Sequence, residues 1–194
     1  MENLNNNVNN IIQINDQYMQ QDDVNNVDLS DMNERRDFYN SLNARSTELM
    51  ETIRNKMEKK EGEWEILIKQ YRSKSTAHVM DMQERGENVE LTDSFLSGRQ
   101  DEKFKKYVQN LRNIYKGCFT LRIHLVYAEH ELNSNNIENV RNAFNKAFET
   151  YNKLKNYYDI AENVIVKNMK SLLRGNLEDK DILTFEEFDF REFD

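Results

Sequence analysis

Proline is absent from this chain of 194 residues, and glycine occurs only five times. A sequence so poor in the residues that break helices and close tight turns argues against a turn-rich β-sandwich and favours long helices. Cysteine occurs once, as Cys118, so no disulfide can close within the chain and no cysteine-based zinc set can assemble. Cys118 lies on an apolar stripe and reads as a small buried residue rather than a reactive thiol. No apolar run approaches the roughly 18 residues that span a bilayer. The opening MENLNNNVNNIIQIND also lacks the basic segment of a secretory signal. The expectation is therefore no membrane contact and an intracellular, cytoplasmic location, or a virion if the source is viral.

Catalytic and metal-binding signatures are missing as well. A di-iron carboxylate helix carries Glu three residues before His, but Ser75, Leu121 and Tyr127 precede His78, His124 and His130 at that spacing. His130-Glu131 is followed at the second histidine position of a zinc protease by Ser134. There is no glycine-rich phosphate loop, no G-x-S-x-G elbow and no D-x-D-x-D-G calcium loop. The many carboxylates are interleaved with lysine on helix faces and read as solvated charge before they read as an acid/base pair. The sequence predicts a non-enzyme that needs no cofactor and no metal.

What the chain does have is charge, at 32% of residues, with a mean hydropathy of −0.93. Its length suits one structured body. Residues 1–30 carry five acids and no lysine or arginine, and residues 176–194 carry eight acids against Lys180 and Arg191. Those segments hold −5 and −6 of a total of −8, which leaves +3 on residues 31–175: a mildly basic body between two acidic ends.

The periodicity predicts an all-α fold: an elongated antiparallel three-helix bundle over 31–175 with coiled-coil-like heptads, a flexible Asn-rich arm at 1–30 and an acidic aromatic tail at 176–194. Within the arm, Val8, Ile11, Ile12, Ile14, Tyr18 and Met19 could form a short amphipathic turn. A first helix starts near Ser30-Asp31, capped by Asp31 with Glu34 closing a capping box. It carries Phe38, Leu42, Leu49, Ile53, Met57, Trp64, Ile68 and Tyr71 at helical spacing toward Met82, with an alternative break between Glu58 and Gly62. Gly86 marks its end. The connector 87–100 reads as holding a short helical piece capped by Thr92 and ended by Gly98. A second helix from about Asp101 places Phe104, Leu111, Cys118, Leu125 and Leu132 at one heptad position, and Tyr107, Ile114, Leu121 and Ala128 at the other. After the NSNN turn, a third repeats the pattern with Ile137, Phe144, Tyr151, Tyr158, Ile165 and Leu172, and with Val140, Ala147, Leu154, Ala161 and Asn168, up to Gly175. Asn168 either fixes the register of that seam or is solvated. So many aromatic rings need a third helix or a second copy of the hairpin to cover them, which makes a homo-oligomer an open alternative.

Two features suggest partners. The last segment, ILTFEEFDFREFD, sets Ile182, Leu183, Phe185, Phe188, Phe190 and Phe193 among acids. These side chains either cover a groove of the same bundle or form a docking motif for a protein partner whose apolar groove has a basic rim. The body also holds aromatic-interleaved basic runs with Lys69, Arg72, Lys74, Lys103, Lys105, Lys106, Arg112 and Lys116, which could track the phosphates of single-stranded DNA.

The stretch from IKQYRSKSTAHVMDMQERGENVELTDSFLSGRQDEKFKKYVQ through NLRNIYKGCFTLRIHLVYAEHEL resembles small helical proteins of tailed bacteriophages, such as single-strand DNA recombination mediators. They share a basic helix, a polar connector and a second amphipathic helix. The resemblance covers about a third of the chain. It implies binding of single-stranded DNA through a basic, tyrosine-containing motif, near which Lys69, Tyr71, Arg72 and Lys74 fall here. The double-tyrosine-glycine element that follows in the family is absent. The resemblance also implies homo-oligomers that contact a recombinase and a single-strand binding protein. In composition the final segment is similar to the docking tails of single-strand binding proteins. The favoured expectation is a helical interaction or assembly protein that docks a partner through this tail. The alternatives are a single-strand DNA-binding accessory protein of recombination or replication, and a structural virion component.

Overall fold

The computed structural model describes residues 24–88, 96 and 98–175, which form helices joined by turns, with no strand among them. A 3-10 turn at Val24–Asn26 precedes α1 (Met32–Met57), α2 (Glu63–Glu84), α3 (Gly98–Glu131) and α4 (Ile137–Ile160). A π-helical segment, Ala161–Ile165, then leads into α5 (Val166–Arg174). None of these helices is long and apolar enough to cross a membrane. The arm 1–30 falls mostly, and the segment 176–194 entirely, outside the described residues.

Three sequence expectations change here. The first helix is two helices, because the chain turns at Glu58–Gly62. Gly62 N–H donates to Lys59 O at 2.6 Å, and Gly62 O accepts the Ile66 N–H at 3.0 Å to start α2. A β-carbon at Gly62 would stand 2.6 Å from Lys56 O, 2.8 Å from Asn55 O and 2.9 Å from Lys59 O, so only glycine fits this turn. Gly98 opens α3 rather than ending a short piece, and a cap at Thr92 lies outside the described residues. The third expected helix is interrupted by the π segment, a one-residue insertion that the seven-residue spacing of Leu154, Ala161 and Asn168 conceals.

The helix ends otherwise follow local chemistry. Asp31 Oδ1 accepts the Asn33 N–H at 2.7 Å as a cap. Glu34 does not return to the Asp31 amide as a capping box would: it accepts the Asp28 N–H at 2.8 Å, while the Asp31 N–H bonds to Asp28 O. Gly86, at φ 83°, ends α2 with paired bonds, Gly86 N–H to Gln83 O at 3.0 Å and Glu87 N–H to Met82 O at 3.1 Å. Asn136 caps α4 by accepting the Glu138 and Asn139 N–H groups at 3.1 and 3.3 Å.

The described chain divides into two compact units, one drawn from residues up to Ser46 and from Leu121–Glu149, the other from Thr47–Thr120 and from Thr150 onward. In the first unit, Phe38 stacks on Phe144 at 5.3 Å and meets Phe148 at 6.2 Å, and Leu42, Leu125, Ala128, Val140 and Ala147 are buried in the same unit. Arg35 is buried, donating through Nε to Leu29 O and through one terminal nitrogen to Leu132 O at 3.2 Å and Ser134 O at 2.9 Å. Its cation therefore meets carbonyls at the C-terminal end of α3, where the helix dipole favours positive charge. Ile137, expected on a dry seam, is 40% exposed because it opens α4.

In the second unit, Phe104, Leu111, Ile114, Leu154, Ala161 and Ile165 are fully buried. Each large aliphatic or aromatic side chain removed from water there contributes about 1.5–3 kcal/mol. Tyr71 on α2 stacks on Phe104 of α3 at 4.1 Å, and its hydroxyl bonds the buried Asp101. Asn168, expected either to fix the register of the seam or to be solvated, is half-buried and donates to the Tyr107 hydroxyl at 3.2 Å.

Candidate functional site

The break at Gly62 decides what the start of α2 presents. Glu63 and Trp64 enter the second unit together, in the first turn of the helix, where exposed backbone N–H groups favour negative charge. Trp64 is fully buried, its ring 6.0 Å from Tyr158, and its indole N–H donates to Glu162 Oε1 at 2.7 Å. Glu162 sits on the π segment. Its other oxygen accepts from Lys56 Nζ at 3.1 Å, and Lys56 also reaches Glu63 Oε2 at 2.8 Å. Glu63 Oε1 accepts from Lys170 of α5. The result is an alternating ladder, Trp64–Glu162–Lys56–Glu63–Lys170, that joins the end of α1, the start of α2, the π segment and α5.

The ladder's electrostatics are self-consistent. The Lys170 and Lys56 ammonium groups hold the Glu63 carboxyl below its ordinary value against a smaller opposing effect of burial. Burial works to lower Lys56, but the hydrogen bonds and charges of Glu63 and Glu162 outweigh it and raise its pKa. Both groups stay charged at neutral pH, so Glu63 acts as a fixed acceptor rather than a proton donor. Elsewhere in this unit Cys118 is buried, and burial pushes its thiol up to about 12, which keeps it protonated and unreactive.

Beside the ladder lies a groove of about 610 Å³, a size that takes several side chains of a ligand. Ile66, Leu67 and Leu173 give it an apolar floor, while Lys74, Lys170 and Arg174 give it a cationic side. Glu61 and Glu63 stand in the lining as well, with Gln70 and Ser73 between the charges. Lys74 is anchored by donating to Leu173 O at 2.6 Å. Ile66 remains 39% exposed in this groove.

The predicted partner-binding residues Ile182, Leu183, Phe185, Phe188, Phe190 and Phe193 lie outside the described residues. The eight predicted phosphate contacts all fall in the second unit. Lys69, Arg72 and Lys74 are on α2, and Lys103, Lys105, Lys106, Arg112 and Lys116 are on α3. All but the half-buried Lys103 are exposed. Lys105 pairs with Asp101 at 2.6 Å and Lys69 with Glu65 at 3.6 Å. The neighbouring rings Phe104 and Tyr107 are buried and cannot stack on bases.

Two features escaped the sequence. One is the ladder, whose members are spread from position 56 to 170 without a motif. The other is a set of exposed apolar side chains on the side of α3 away from its buried stripe. In the first unit, Ile123, Val126 and Tyr127 are 65%, 55% and 45% exposed. In the second, Phe119 is exposed and meets Tyr115 edge-on at 5.5 Å. The helical spacing of residues 119, 123 and 126 is the sequence signal that could have found them. Among the described residues no group of His, Cys, Asp and Glu is placed to hold a metal ion. No protein-family model, curated protein or solved structure matches this chain.

Proposed function

We propose that this chain is a non-enzymatic interaction or assembly protein, a helical bundle with coiled-coil-like heptads that docks a protein partner through residues 176–194. The observation that supports the reading best is the second apolar face of α3. Isolated exposed apolar residues are ordinary on any surface, but Ile123, Val126 and Tyr127 recur at helical spacing on one face of the first unit. A helix that buries one apolar stripe and exposes another suits contacts with a second protein. Residues 176–194 supply the second element, seven large apolar side chains among eight acids, with the charge limiting self-aggregation while the rings supply contact area.

The test is capture of partners by the native protein and by a chain ended after Gly175. The reading expects a defined partner to be retained by the full chain and lost by the shortened one, with the shortened chain still folded by circular dichroism. Retention by both would overturn it.

A second reading, a single-strand DNA-binding accessory protein, is favoured by one observation: the eight basic residues singled out in the sequence all belong to the second unit. Titrating single-stranded DNA binding against salt checks it. Neutralising several phosphates gives a linear fall of log affinity with log salt, at a slope of about −0.7 per phosphate. A flat or absent response removes that reading.

A further inference from the structure

We propose that the groove between α2 and α5 is a binding site for the apolar-acidic segment Ile182–Phe193 of the same chain. The inference rests on the reading of that segment as a docking element, and it adds a receptor of defined chemistry. Three observations carry it.

The first is where the described chain stops. Leu173 and Arg174 are themselves groove residues, and Gly175, at φ 71°, turns the chain out of α5 beside them. The second is reach. Six residues lie between Gly175 and Ile182, and the seven steps from one to the other span up to about 25 Å when extended, whereas a 610 Å³ groove is on the order of 10 Å across. The first apolar residue of the segment can therefore return to the groove without strain. A tethered segment also meets its site at an effective concentration in the millimolar range, far above that of a second copy in dilute solution.

The third is complementarity. The floor of Ile66, Leu67 and Leu173 suits a phenylalanine or leucine side chain, and burying it would cover the exposed part of Ile66. Lys74 and Arg174 border the floor, and residues 176–194 bring eight acids against two cations. Lys170 is already held by Glu63 and Lys74 donates to Leu173 O, so the segment's carboxylates meet Arg174 first. The partner-docking segment is thus held in reserve, and a partner must displace it from α2 and α5 before binding.

The test uses the full chain with a photoreactive phenylalanine at position 188. Irradiation is expected to give an intramolecular cross-link, at monomer mass, to the peptides holding Ile66–Gln70 or Leu173–Arg174. The double variant Ile66→Asp, Arg174→Glu should lower that yield about tenfold, from one lost apolar contact and one reversed charge. Circular dichroism of the variant confirms that it is folded. A second, conservative variant, Arg174→Gln, should give a smaller loss that narrows as salt is raised. Cross-links found only at dimer mass would overturn the proposal by making a second copy the occupant. Cross-links elsewhere in the chain, or a yield indifferent to Ile66 and Arg174, would also overturn it. Failure here, with partner capture still dependent on residues 176–194, leaves the docking function standing. Loss of that dependence while the cross-link persists would mean instead that the segment only covers its own groove.

Discussion

Replacing glycine by alanine at three positions separates three physical effects that share one chemical change. At Gly62 the added β-carbon would lie 2.6–2.9 Å from three backbone carbonyl oxygens, of Lys56, Asn55 and Lys59. Backbone oxygens at a helix end cannot step aside as a flexible side chain would, so the turn itself must open. Overpacking of this kind costs about 2–3 kcal/mol, and for a chain of this length each kcal/mol lowers the melting temperature by about 2–4 °C. Gly62→Ala is expected to melt about 5–10 °C below the native protein. At Gly86 there is open space within 4 Å but φ is +83°, so Gly86→Ala meets only the left-handed backbone penalty of about 1–2 kcal/mol. At Gly98 there is neither crowding nor a positive φ, and Gly98→Ala in the first turn of α3 should be neutral or stabilising by up to about 1 kcal/mol. The assay is thermal and urea unfolding followed by far-UV circular dichroism, with hydrogen exchange of the Ile66 N–H, which bonds to Gly62 O, as the local readout. The expected order of stability is Gly98→Ala, then Gly86→Ala, then Gly62→Ala. If Gly62→Ala matched Gly98→Ala, the tight turn between α1 and α2, and with it the placement of Glu63 and Trp64, would be refuted.

Three further outcomes follow from the same geometry. Arg35→Met should destabilise the first unit by about 3 kcal/mol, because charge-assisted hydrogen bonds to Leu29 O, Leu132 O and Ser134 O are lost, whereas Arg36→Met at the exposed neighbour should change unfolding by less than about 0.5 kcal/mol. The folded-state pKa of Glu63 lies below its ordinary value of 4.5, so its contribution is fully present above that pH and is lost as pH falls through the folded-state value. The stability gap between native protein and Glu63→Gln, under about 1 kcal/mol for a pair one-third exposed, should close in acid urea titrations, and a gap that widened would contradict the ladder. Cys118 should react with a thiol reagent many-fold more slowly than free cysteine and accelerate as urea opens the fold, so rapid labelling of native protein would place it at the surface.

Much of the helical pattern was legible because it depends on neighbours along the chain. The seven-residue spacing from Phe104 to Ala128 marked residues that are all buried, and Gly86 and Asp31 end and cap helices through bonds to adjacent residues. The break before Glu63 was legible only as an alternative. KMEKKEGEWE is compatible with a helix or a turn by propensity, and the crowding of carbonyls around Gly62 exists only once the turn is made. The candidate site was the least legible part. Lys56, Glu63, Glu162 and Lys170 look like the solvated charges found along any helix, and nothing local distinguishes them from Arg54 and Glu58, an exposed pair one turn apart.

By itself the sequence determined that this protein is helical, where most of its helices start and stop, and which stripe of α3 is dry, because helix formation, capping and amphipathicity are set by residues within a few positions of one another. Only the tertiary structure decided that Trp64 is buried against Glu162, that a π segment brings Glu162 within reach of Lys56, and that Leu173 and Arg174 share a groove with Ile66. Those relations join residues about a hundred positions apart, and a pairing at that distance is fixed by how helix faces pack, which no local periodicity records.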